Sequence, residues 1–158
     1  MTEWLLFTDG SVNTQTKSGY GAALWVASND TKTYSELKDR IKVKKFTETS
    51  STKIELQTLL WALTEIPKAC QPLTVYTDCQ NILSLASRRA GFEKQNYHSK
   101  RGKPLRSAAL YQAFFEMADD RGFKLVKIKG HLSVAQRDST DRLFKLVDQA
   151  SRKASRKE

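Results

Sequence analysis

Asp9 and Asp78 occupy equivalent places in the chain: each directly follows a threonine at the C-terminal end of an apolar run, in LFTDG and VYTDC. Ligands of α/β sheets bind beyond strand ends, where aspartates on two neighbouring strands bring their carboxylates together. Glu55 stands near the start of a helix-like segment, Asp148 lies off the apolar stripe of the last one, and His131 follows Lys129-Gly130 after a β-suited run. Singly, each has a structural reading. Asp9-Gly10 is a turn signal, Asp78 a good helix N-cap, Glu55 the acidic member of a capping box with Thr52, Asp148 a surface charge and His131 a loop histidine. The ordered set of strand-end Asp, helix-start Glu, strand-end Asp, Gly-His and helical Asp points instead to one site assembled from several elements.

The elements that must position these residues follow from hydrophobic period. WLLFT, Trp4 to Thr8, is a short apolar run closed by Asp9-Gly10-Ser11, and Gly19 to Val26 is β-suited after a polar loop. Ile41 to Thr47 alternates partly with lysine, as an edge strand does. The period then changes. Leu56, Leu59, Leu60 and Leu63 predict an amphipathic helix that begins near Thr52, through the T-x-x-E spacing with Glu55, and ends at Pro67. Leu73 to Thr77 predicts a fourth strand and Cys79 to Ala86 a short helix. A further helix runs through Leu110, Ala113, Phe114 and Met117 to a stop at Gly122, and Lys124 to Lys129 predicts a fifth strand. In the last helix Leu143, Leu146, Val147, Ala150 and Ala154 form the apolar stripe, and Arg152, Lys153, Arg156 and Lys157 suit the negative end of its dipole.

With 158 residues the chain is long enough for one core and short for two, so a single domain over 1–158 is expected. Twenty-seven Lys and Arg against 17 Asp and Glu give a formal charge of +10, which favours a polyanionic partner. The excess is concentrated between Arg88 and Arg106, where seven basic residues accompany one acidic residue, with Phe92 and Tyr97 interleaved. Such a mixture can grip phosphates while stacking on sugars or bases. Two cysteines, Cys70 and Cys79, indicate neither a disulfide framework nor structural zinc. The N-terminal MTEWLLFTDG matches neither a signal peptide nor a membrane span, so a cytoplasmic protein is expected.

FTDGS (7–11), GYGAAL (19–24), KIELQTLLWAL (53–63), VYTDCQNI (75–82), KGH (129–131) and VDQASRKA (147–154) together resemble type 1 ribonuclease H, in the same order and over nearly the whole chain. The resemblance implies an α/β ribonuclease H-like fold: a five-stranded mixed sheet of order 3-2-1-4-5 flanked by helices, with a basic protrusion at about 88–106. It implies an endonuclease that hydrolyses the RNA strand of RNA/DNA hybrids by a two-metal mechanism and leaves 5′-phosphate and 3′-hydroxyl ends. The metal-binding carboxylates fall on Asp9, Glu55, Asp78 and Asp148, and the mobile active-site histidine on His131. Four crowded carboxylates repel one another unless cations neutralise them, and hard oxygen ligands favour two Mg²⁺ ions, or Mn²⁺, over zinc.

Ser11, Ser51 and Thr52, with Lys53 beside them, fall where the family reads the 2′-hydroxyls of RNA. Arg88, Arg89, Lys100, Arg101 and Lys103 are the phosphate candidates of the protrusion, which GKPLRSAALYQ (102–112) closes. The protein is expected to act as a monomer on the hybrid. The chain departs from the family pattern in Ser50-Ser51-Thr52-Lys53, where adjacent asparagines are common, in Cys79 for serine and in Tyr111 for tryptophan. The His131-to-Asp148 interval is also long, which makes Asp141 a rival fourth ligand; Asp148 is preferred because DQASRKA follows it. A nuclease of the same fold acting on another structured nucleic acid, and a non-catalytic hybrid-binding module, are the alternatives.

Overall fold

The computed structural model describes residues 2–128 and 138–157. Its elements run β1 (Trp4–Asn13), β2 (Ser18–Ala27), α1 (Tyr34–Lys38), β3 (Lys42–Phe46), α2 (Ser51–Glu65), β4 (Leu73–Thr77), α3 (Gln80–Lys94), α4 (Ala108–Arg121), β5 (Lys124–Lys127) and α5 (Ser139–Arg156). The five strands form one sheet of order β3-β2-β1-β4-β5. β1, β2 and β3 pair antiparallel, whereas β4 and β5 join in parallel.

Alternation along β1 divides the core into two layers. Leu6 faces α2 and α4 with Leu59, Leu63, Val75, Ile82 and Phe114. Phe7 faces α5 with Leu24, Phe144 and Val147. Close packing of α2 on the sheet depends on missing side chains. A Cβ on Gly21 would collide with the Thr58 side chain, and one on Gly10 would sit 2.9 Å from Ile54 Cγ1.

Four local expectations change. β1 does not turn at Asp9-Gly10 but continues to Asn13, because Gly10 serves close approach of α2 rather than chain reversal. α2 begins at Ser51, with the Ser50 side chain accepting from Lys53 N at 3.2 Å. Glu55 therefore makes no capping box with Thr52. α3 runs two turns beyond Ala86 to Lys94, so Arg88 and Arg89 are helical. Lastly, α1 has no counterpart among the expected elements, although Thr33 and Glu36 form its capping box.

Candidate metal centre and nucleic-acid interface

Sheet register brings the first two carboxylates together. Phe7 pairs with Tyr76 across the parallel β1–β4 ladder, and their rings stack at 5.0 Å. Asp9 and Asp78 each lie two residues further on, so the same register sets them side by side on one face. β4 ends at Thr77 while β1 continues, leaving the Gly10 N–H without a β4 partner. Glu55 takes that place by accepting from Gly10 N at 2.9 Å. A ligand oxygen from each of Asp9, Glu55 and Asp78 thus lies within 4.8 Å of the others.

α5 brings the fourth carboxylate. Asp148 lines the same cleft with Ser11, Val12, Ser51 and Arg152. Arg152 Nε lies 3.0 Å from Asp148 Oδ1 and Lys145 Nζ 3.6 Å from Oδ2. Asp141 is engaged elsewhere. It completes a capping box at the start of α5, donating from its N–H to Asp138 Oδ1 at 2.9 Å and accepting from Asp138 N at 3.0 Å. Seven residues of helix, about 10 Å, separate it from Asp148. His131 lies outside the described residues.

The cluster is electrostatically unfavourable by itself. Burial, reinforced by Glu55, Asp78 and Asp148, pushes the Asp9 carboxyl up to about 9. Burial and then Asp78 push Glu55 up to about 8, against the lowering effect of the Gly10 N–H. Asp78 is raised as well, first by burial and then by Asp148, with Arg152 opposing. Glu55 Oε2 is buried with no hydrogen-bond partner among the described residues. An all-oxygen donor set with excess negative charge and an unused buried carboxylate oxygen fits a hard divalent cation.

Ser11 and Ser51 border the acidic cleft. Ser51, Thr52 and Lys53 also line an adjoining groove with Thr14, Lys17, Arg106 and Ser107. Arg88 and Lys100 line a separate depression with Phe92, His98 and Leu105. Lys100, Arg101 and Lys103 are exposed. Arg89 is already committed: it makes two hydrogen bonds to Asp119, at 2.7 and 2.8 Å, and one to Glu93 at 2.8 Å. Phe92 stacks on Tyr97 and Tyr111 and carries the Arg88 guanidinium 4.9 Å from its ring centre. These rings pack against one another, so the stacking surface expected of Phe92 and Tyr97 is largely used within the protein. Sequence reasoning assigns Arg152 to the helix dipole and gives Ser151 no role. The Asp148–Arg152 spacing of i,i+4 is the signal available for the ion pair.

A mixed 3-2-1-4-5 sheet with one aspartate within β1, another just beyond β4 and a glutamate of α2 beside them defines a ribonuclease H-like protein. The RNase H family model matches residues 1–150, and the chain belongs to this family. Ribonuclease HI of Haemophilus influenzae is 26% identical over 142 residues, covering 89% of this chain and 86% of that protein. The solution structure of the PFV RNase H domain matches with a TM-score of 0.72 at 16% identity, over 98% of this chain and 95% of that one. A foamy viral protease-reverse transcriptase in complex with dsDNA matches with a TM-score of 0.69 at 13% identity, over 95% and 94% of the two chains. These structural likenesses speak to the fold.

Proposed function

We propose that this chain is a single-domain, monomeric endonuclease that hydrolyses the RNA strand of RNA/DNA hybrids, leaving 5′-phosphate and 3′-hydroxyl ends. The observation that carries this reading is the convergence of Asp9, Glu55 and Asp78 oxygens within 4.8 Å in a member of the RNase H family. Asp148 joins them from α5. Two Mg²⁺ ions, replaceable by Mn²⁺, would supply Lewis acidity for water attack and neutralise the leaving oxygen. The four carboxylates hold and space the cations, and the sheet holds the carboxylates. His131 serves as proton shuttle or aids product release, as the family resemblance implies.

Ser11 and Ser51 on the acidic cleft and Thr52 in the adjoining groove would read 2′-hydroxyls on the strand to be cut, with Lys53 beside them for a phosphate. Arg88, Lys100, Arg101 and Lys103 take phosphates of the DNA strand. Arg89 joins them only by leaving Asp119 and Glu93, so it is the weakest of the five candidates. Both cysteines are free, which suits a reducing cytoplasm.

Labelled RNA/DNA hybrid, double-stranded RNA and double-stranded DNA, each incubated with Mg²⁺, Mn²⁺ or chelator, test this reading. Cutting confined to the RNA of the hybrid and abolished by chelator is expected. Preferential cutting of either homoduplex, or binding without cutting in every condition, would overturn it.

A further inference from the structure

Ser151 is a polar residue on the buried face of α5, between Val147 and Ala154 at helical spacing, and it has no exposed surface. Its Oγ lies 3.1 Å from Asp9 Oδ2, across 142 positions of sequence, and 3.1 Å from the carbonyl oxygen of Asp148 one turn back. A helical serine needs only the second of these partners to satisfy its hydroxyl. The first joins α5 to β1 at the most deeply buried carboxylate of the cleft.

We infer that Ser151 is a positioning residue of the metal centre. Its single proton has two acceptors at equal distance, and an ionised carboxylate is the stronger one. Whenever Asp9 is held in its charged form, the hydroxyl turns to Oδ2 and fixes the carboxylate plane, leaving the other oxygen for a cation. Alanine would fill the same buried position without this function. Ser151 also bridges the two acidic elements, because the turn that carries its hydroxyl to Asp9 is the turn that presents Asp148. The spacing between these ligands therefore depends on one hydroxyl that touches neither substrate nor metal.

The inference rests on the metal-dependent reading of the same site, and its test is made without nucleic acid. Metal-free wild-type protein and Ser151→Ala are titrated with Mn²⁺ by calorimetry, and both are unfolded thermally with chelator and with Mg²⁺. Outer-sphere partners of metal ligands change affinity by roughly 10–100-fold; here about tenfold weaker Mn²⁺ binding by Ser151→Ala is expected, with a smaller Mg²⁺-induced rise in Tm. Cleavage of hybrid by Ser151→Ala should require correspondingly more Mg²⁺. A purely structural serine gives the opposite pattern, a Tm lowered equally with and without metal and an unchanged Mn²⁺ affinity, which would overturn the inference. Absence of Mn²⁺ binding by the wild type would overturn it too, whereas Mn²⁺ binding without hybrid cleavage would sink only the proposed substrate.

Discussion

Asp9 is held in a position where its charge is a liability until something cancels it. Its folded-state pKa of about 9, and that of Glu55 at about 8, lie far above the ordinary carboxylate values of 3.8 and 4.5. In the unfolded chain both groups lose their protons near pH 4, while the folded metal-free protein retains them to pH 8–9. Across that window the folded state binds more protons, so the cluster's contribution to stability is fully present below pH 4 and is lost as pH rises through 8–9. Asp9→Asn removes one ionisation while keeping an acceptor for Ser151. In chelator its Tm should exceed that of the wild type by a margin that grows from pH 5 to pH 9, at about 2–4 °C per kcal/mol for a chain of this size. Added Mg²⁺ should raise the wild-type Tm and leave Asp9→Asn unmoved. Since protons and cations compete for the same oxygens, Mg²⁺ affinity measured by calorimetry should strengthen as pH rises toward 9. An affinity independent of pH between 6 and 9 would show that the carboxylates are already ionised before metal arrives.

The elements carry this arrangement through two close approaches that depend on glycine. Gly10→Ala would place a methyl 2.9 Å from Ile54 Cγ1, 3.0 Å from Cγ2 and 3.3 Å from Glu55 Oε1, forcing α2 away from β1. Overpacking of this kind costs about 1–3 kcal/mol, and here it also displaces Glu55. Denaturant unfolding should register the stability loss, and Mn²⁺ titration should register weakened binding. Gly21→Ala strains Thr58, one turn further along α2, and should cost similar stability while disturbing metal binding less.

Whereas the 3-2-1-4-5 order came from the family resemblance, and Asp9 proves to lie inside β1 rather than at its end, the strands holding or preceding Asp9 and Asp78 were legible from short β-suited runs and a change of period. The start of α2 was not, since Ser50, Ser51 and Thr52 are all competent caps and only the tertiary hydrogen bond with Gly10 draws Glu55 out of a local capping box. The same limit explains Ser151. Its partner lies on another element, and no local pattern links positions 9 and 151.

At the scale of the whole molecule, the formal charge of +10 must be reconciled with an acidic active cleft. Local negative charge recruits cations, whereas positive charge at a distance draws in a polyanion that would otherwise be repelled by the carboxylates. Arg89 shows that a count of basic residues overstates the phosphate-facing charge, for its bidentate pair with Asp119 and its hydrogen bond to Glu93 spend it within the protein. Lys100, Arg101 and Lys103 make no ion pair among the described residues and are exposed. Replacing these three by alanine should weaken hybrid binding in Ca²⁺ and raise KM, with Mn²⁺ affinity unchanged because no metal ligand is touched. Removing one phosphate-binding cation should reduce the magnitude of the salt slope by about 0.9, so the triple variant should flatten a plot of log affinity against log salt by up to about 3 units. Arg89→Ala should alter the slope far less and instead lower Tm slightly, because Asp119 and Glu93 are left without their cation. If the two variants changed the salt slope equally, Arg89 would have to leave Asp119 on binding, and the contact between α3 and α4 that it makes would rearrange when the nucleic acid arrives.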